Sequence, residues 1–184
     1  MPDYRSYNNF DTFPLTAYNV IAHLIENNEL IWKLLKYDDA NAWKSDAEHP
    51  NLTKAEKGAL IYDGQFLKLN NYRVFLDIGQ DQAFTKEACI LRVSPVDLYA
   101  TNYVYGDLVL GLEVYCHYEI NTMSNYQTRT DKVTQQLIET LNGVEIEGVG
   151  QLFFDRTRYG GKSSVIGQIP FKGRGTIMCN NVLG

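Results

Sequence analysis

Leu108-Val109-Leu110-Gly111-Leu112-Glu113-Val114-Tyr115-Cys116-His117-Tyr118-Glu119-Ile120 is the stretch that decides the fold. Its even positions, Leu108, Leu110, Leu112, Val114, Cys116, Tyr118 and Ile120, are apolar or aromatic. Its odd positions include Gly111, Glu113, His117 and Glu119. A period of two places the first set on one face of a strand and the second on the other, so the reading predicts a long strand with one core face and one wetter face. Sheets covered on one side are characteristically antiparallel.

Working outward, Tyr72, Val74, Leu76 and Ile78 alternate with Arg73, Phe75 and Asp77 and predict a second strand. Cys89, Leu91 and Val93 alternate with Ile90 and Arg92, and Pro95 is expected to end that run. Two more strands are predicted over 150–159 and 171–179, joined by the Gly-rich segment 160–167, which is too long for a tight hairpin turn. Helical periodicity appears elsewhere. Thr16 is placed to cap a helix carrying Val20, Ile21, Leu24 and Ile25, and Asn28 to cap a second with Ile31, Leu34 and Leu35 inward. Thr53-Lys54-Ala55-Glu56 is a capping box opening a helix to about Tyr62, with Gly64 suited to its stop. From about Asp131 to Leu141, Val133, Leu137, Ile138 and Leu141 form a stripe closed by Asn142-Gly143. The expected fold is α+β: a mostly antiparallel sheet with helices packed on one face. The expected organisation is an N-terminal arm over 1–15 and one domain over 16–184 with a helical insert near 38–71.

Composition sets the outer limits. A chain of 184 residues is sized for one domain with its own core. Seventeen Lys and Arg against 22 Asp and Glu give a net charge of −5, which argues against a general nucleic-acid binder. The N-terminus lacks the basic and apolar regions of a secretory signal, and no apolar run approaches the ~20 residues of a membrane helix. Cys89, Cys116 and Cys179 are odd in number, widely spaced and set in apolar runs, the pattern of reduced, buried thiols in a reducing compartment rather than a disulfide framework or zinc site.

Catalytic signatures are weak. Gly160-Gly161-Lys162-Ser163 resembles a phosphate loop, but Arg156 stands where that motif needs glycine, and a strand rather than a helix follows. Cys116 and His117 are adjacent strand residues and point to opposite faces, so they make no thiolate–imidazole pair. Asp38-Asp39 and Asp77/Asp81 are possible cation positions, though turn acids usually cap or solvate. No catalytic residue, cofactor or metal is therefore assigned. Two positive groups stand out: Arg156, Arg158 and Lys162, and the pair Lys172 and Arg174 sharing a face of the last strand. They read as a solvated or edge-protecting face, or as contacts to an acidic neighbour or passing nucleic acid. Thirteen tyrosines are many, and Tyr99, Tyr103, Tyr105, Tyr115 and Tyr126 fall in predicted loops or on the wetter face, where tyrosine suits protein contacts.

The order of elements, with Asn19-Val20-Ile21, Ile31-Trp32-Lys33-Leu34-Leu35-Lys36-Tyr37-Asp38-Asp39-Ala40, Leu52-Thr53-Lys54-Ala55-Glu56-Lys57, Gly150-Gln151-Leu152-Phe153-Phe154 and Phe171-Lys172-Gly173, resembles the tail-terminator (tail-completion, neck) proteins of tailed bacteriophages with a lambda-type fold. That resemblance implies a non-enzymatic virion protein assembled in the host cytoplasm. It implies a ring, typically a hexamer, that ends the tail tube and joins tail to head connector. Its partners would be further copies of itself, the tail tube protein and the connector or head-completion protein. Genome DNA would pass through the lumen without sequence-specific binding, and no membrane is involved. The interaction residues this suggests are Tyr99, Tyr103, Tyr105, Arg156, Arg158, Lys162, Lys172 and Arg174, with the Gly-rich loop, the 96–107 loop and the N-terminal arm as contact segments. The alternatives are a head-completion adaptor on the portal side, or a small metal- or nucleotide-dependent enzyme using Asp77, Asp81, His117 or Lys162.

Overall fold

In the computed structural model the described residues are 15–64, 71–76, 88–100, 105–146, 149–154 and 171–182, with 95–100, 105–109, 154 and 171–182 described by backbone alone. Helices α1 (Thr16–Asn27), α2 (Leu30–Lys36) and α3 (Lys54–Ala59) precede strands β1 (Val74–Phe75), β2 (Cys89–Ala100) and β3 (Tyr105–Cys116). Then come α4 (Tyr118–Asn121), α5 (Arg129–Leu141), β4 (Glu145–Ile146), β5 (Gly150–Phe154) and β6 (Phe171–Val182). The strands form one sheet in the order β1-β2-β3-β6-β5-β4. β1 runs parallel to β2 and every other pairing is antiparallel. The fold is α+β, as the periodicities predict.

One face of the sheet carries the core. Cys89, Leu91 and Val93 of β2, Leu110, Leu112, Val114 and Cys116 of β3, and Leu152 of β5 are buried with Val20, Ile21 and Leu24 of α1, Ile31, Trp32, Leu34 and Leu35 of α2, and Val133, Leu137 and Leu141 of α5. Each of these large aliphatic side chains contributes about 1.5–3 kcal/mol by leaving water. Trp32 is fully buried and satisfies its indole N–H on Leu24 O at 3.0 Å. Asn28 Oδ1 accepts the Ile31 N–H at 2.9 Å, the capping role expected of it, while its Nδ2 donates to Thr140 Oγ1 at 2.7 Å and ties the α1–α2 corner to α5. The Thr53–Glu56 capping box forms as read.

Several boundaries differ from the sequence reading. Thr16 is the first helical residue, buried, and Leu15 holds the cap position of α1. α3 ends at Ala59 because Leu60 turns and Ile61 bridges to Val74; Gly64, at φ 91°, serves a later bend rather than the helix stop. β1 is two residues long, and 77–78 lie outside the described residues. α5 starts two residues early, with Thr128 as its cap.

Two corrections concern β2 and β3. Pro95 does not end β2. Cys89 and Cys116 face each other across the ladder, and the His117 N–H donates to Ala88 O just beyond them, which makes theirs a non-hydrogen-bonded pair. Counting along the ladder, Pro95 opposite Leu110 is another such position, so its nitrogen points to the outer edge. β1 pairs only with Leu91 and Arg92 and does not reach that far. A register shift between Pro95 and Asp97 adds the bulge at which proline is tolerated. Conversely, β3 stops at Cys116. Its partner β2 begins at Cys89, so the ladder has run out, and His117 accepts the Glu119 N–H to begin α4 instead. Tyr118, Glu119 and Ile120 therefore leave the strand, and His117 is a helix cap.

Candidate assembly surface

Among the described residues, two regions lie outside the helix-packed core: the opposite face of the sheet, and the loops at the C-terminal end of α2. The opposite face is drier than its polar residues suggest. Ile90, Ser94, Gly111 and Glu113 are all buried. A second small cluster, Tyr72, Phe75, Ala88 and Ile90 with Tyr62 and Tyr115 against it, covers one end. Next to it Tyr115 Oη donates to Glu113 Oε2 at 2.7 Å, and Arg92 Nη1 lies 3.6 Å from the same oxygen. Burial and the Glu113 carboxylate push the Tyr115 phenol up to about 12. The expected wet face is thus partly corrected: Glu113 is kept by its partners, not by solvent.

Lys172 and Arg174 belong to β6, an interior strand, so edge protection does not apply to them. Arg174 is in register with Glu113, and the rung reads Arg92, Glu113, Arg174 over three strands. The ladder is irregular beside Lys172. Glu113 pairs with Arg174 but Tyr115 pairs with Phe171, so the register shifts at 172–173.

The same face opens toward β5 and β4. Gln151 and Glu145 are exposed there, and Phe153 keeps 43% of its surface in water. In register with them run Asp97, Val109 and Met178 in one row and Tyr99, Asp107 and Asn180 in the next. Tyr105 pairs with Val182 two positions further along, on the same face by alternation. The expected 96–107 loop is mostly strand: 96–100 belong to β2 and 105–107 to β3. Tyr103, Arg156, Arg158, Lys162, the Gly-rich loop and residues 1–14 lie outside the described residues. So do Asp77 and Asp81.

The second region is a knob assembled from the 37–53 loop and the segment 117–129. At its centre Arg129, fully buried, donates Nε to Ile120 O at 3.0 Å, Nη1 to Leu34 O at 2.8 Å and to Tyr37 O, and Nη2 to Asp39 O at 2.7 Å. Leu34 and Tyr37 contribute the otherwise orphaned carbonyls at the end of α2, which a cation suits. Asp38 pairs with Arg73 at 3.3 Å. His49, buried, lies between two carboxylates, Nε2 at 2.9 Å from Asp39 Oδ2 and Nδ1 at 2.8 Å from Asp46 Oδ1. Bonds to Asp39 and then Asp46 raise the His49 pKa, and the His49 bond lowers that of Asp46. At Asp39 burial pulls upward, and His49 with the Asn41 N–H outweighs it, so the net shift is down. Lys33, also buried, reaches Ser45 Oγ at 2.9 Å and Lys44 O.

On this frame sits a tight turn. Thr122 bridges to Thr128, Met123 N–H donates to Gln127 O at 3.0 Å, and Tyr126 N–H donates to Met123 O at 3.0 Å. Trp43 Nε1 to Ser124 Oγ at 3.0 Å and Ser124 N–H to Ala40 O at 2.9 Å fasten the turn to the loop. Tyr126 adopts φ 63°, the left-handed region that three-residue hairpin loops normally give to glycine, and its side chain is 94% exposed. Tyr118 nearby in sequence is 61% exposed. Tyr126 thus combines a hydrogen-bonded mount, a left-handed backbone and a solvent-exposed aromatic side chain. The sequence marks Tyr126 as a loop tyrosine; nothing in it reveals the strain or the mount.

Among the described residues, no group of three or more His, Cys, Asp and Glu is arranged to hold a metal ion, and no helix is long and apolar enough to cross a membrane. Comparison with curated proteins and with solved structures gives no match. The sequence does match one family, YomW, over residues 28–180, more than four-fifths of the chain and including the α2 loop, the knob and strands β1 to β5. The chain belongs to the YomW family, a phage-derived family.

Proposed function

We propose that this protein is a structural component of the phage neck, a ring subunit that ends the tail tube and joins it to the head connector. Membership of a phage-derived family over most of the chain is the observation that carries the reading. The fold supports it in a specific way. Stacked rings form an open-ended assembly, and a terminator must match the last ring on one side while offering the next layer something different. This subunit has two dissimilar presentation surfaces: the aromatic knob at Tyr126 and the open sheet face around Phe153. Both edge strands, β1 and β4, are two residues long, which disfavours unlimited edge-to-edge growth. Its partners are then copies of itself, the tube protein and the connector, with DNA passing through the lumen, and its work is contact rather than turnover.

The test is reconstitution. Purified chain is mixed separately with tail tubes and with connector rings, and followed by mass photometry and negative-stain imaging. Ring-shaped caps at one end of the tubes are expected, with Tyr126→Ala weakening their formation at least tenfold. Binding to connector alone would move the protein to a head-completion position. A chain that stays monomeric with both partners would overturn the reading.

A further inference from the structure

Cys89 and Cys116 lie twenty-seven positions apart in the sequence, yet β2 and β3 bring them face to face in the core. Both thiols are free and buried. The hydrogen bond from His117 N–H to Ala88 O at 3.1 Å identifies theirs as a non-hydrogen-bonded antiparallel pair, the kind whose side chains approach most closely. Cα atoms in such a pair stand about 4.5 Å apart, inside the roughly 4.4–6.8 Å range that a disulfide spans. We propose that Cys89 and Cys116 are a redox pair that closes to a cross-strand disulfide when a small disulfide of the glutathione class is supplied.

Access and chemistry fit this assignment. Cys89 is the first residue of β2 and Cys116 the last of β3, so the pair is the terminal rung of its ladder, where local opening is easiest. While the rung is closed, contact with the Cys89 thiol and burial hold the Cys116 thiol protonated and inert. When it opens, one cysteine loses its proton and attacks the oxidant's S–S bond, releasing one small thiol and leaving a mixed disulfide. The second thiolate attacks the protein sulfur of that mixed disulfide, forming the Cys89–Cys116 bond and expelling the second small thiol. Two protein thiols give up two protons and two electrons, and the oxidant's S–S bond becomes two thiols. Cys179 is the internal control. It stands opposite Leu108, eight residues along β3 from Cys116 and so roughly 27 Å away. In a virion protein, which rests on the reading above, such a staple stays open in the reducing cytoplasm and sets after release.

The experiment is oxidation of the folded, full-length chain with oxidised glutathione, followed by intact mass and peptide mapping. The proposal expects a mass loss of two hydrogens, one crosslinked peptide joining Cys89 to Cys116, full reversal by dithiothreitol, and the same product from Cys179→Ser. The oxidised chain should melt roughly 5 °C or more above the reduced one, because the bond closes a long loop. Cys116→Ser should stop at the Cys89 mixed disulfide, and the mapping of wild type stands if that variant does not fold. Crosslinks through Cys179, glutathione adducts that never resolve, or thiols that remain fully reduced each overturn the proposal. None of these readouts depends on ring formation, so the neck reading stands or falls separately.

Discussion

Replacing Arg129 with Met should cost more stability than any surface change in this protein. The guanidinium is fully buried and its donors go to four main-chain carbonyls, Ile120, Leu34, Tyr37 and Asp39. Hydrogen bonds from a charged donor contribute about 1.5–3 kcal/mol each, so four of them sum to roughly 6–12 kcal/mol before desolvation is subtracted. Burying the cation costs several kcal/mol, which methionine does not incur. The net loss is then about 3–5 kcal/mol, the size associated with breaking a buried charge network. For a chain of this length that corresponds to a fall in Tm of roughly 6–20 °C. Urea unfolding followed by tryptophan fluorescence measures it, since Trp32 reports the core and Trp43 the knob. Arg129→Lys keeps the charge but radiates three donors from one point, so it should recover part of the loss and not all of it. A Met variant within about 1 kcal/mol of wild type would refute the claim that Arg129 holds the α2 terminus, the 37–53 loop and α4 together.

Other expectations follow from the same region. Below pH 6.5 the His49 clamp contributes fully from the imidazole side, and that part is lost as pH rises through the raised folded value. Asp39 and Asp46 contribute above 3.8 and lose their part as pH falls through their lowered values. The difference in Tm between wild type and His49→Gln should therefore peak between these limits and shrink at alkaline pH; a difference that is flat from about pH 5 to 9 would contradict the clamp. Tyr126→Gly should raise stability by about 1 kcal/mol by relieving the left-handed backbone, while weakening assembly; a loss of stability would mean the ring packs on its own chain. Thr53→Ala should cost about 1 kcal/mol by opening the capping box, read as a lower urea midpoint with an unchanged slope.

How far the sequence reached depended on how local the cause was. The alternation in 108–116 and the stripe in 131–141 are local, and they placed β3, α5 and the covered face correctly. The failures each have a non-local cause. Pro95 looks like a terminator until the ladder phase shows its nitrogen pointing away from β3, so that it interrupts no β2–β3 hydrogen bond. Tyr118 and Ile120 continue the alternation, but β3 ends at Cys116 and α4, capped by His117, takes them over. Arg129 lies before the helix start predicted at about Asp131, and only tertiary packing makes it a buried staple. The composition marks the chain as tyrosine-rich. The particular residue, Tyr126, was singled out by a backbone angle that composition does not encode. The register of Arg174 with Glu113 of the neighbouring strand is likewise non-local and invisible to the sequence reading.

We propose that this subunit completes itself beside copies of itself at the end of a tail tube. Negative-stain imaging of tail tubes incubated with the purified chain tests that most directly. A ring of additional density at one end of each tube, absent when the chain is withheld, is the predicted result. Bare tube ends beside a strictly monomeric protein would contradict it.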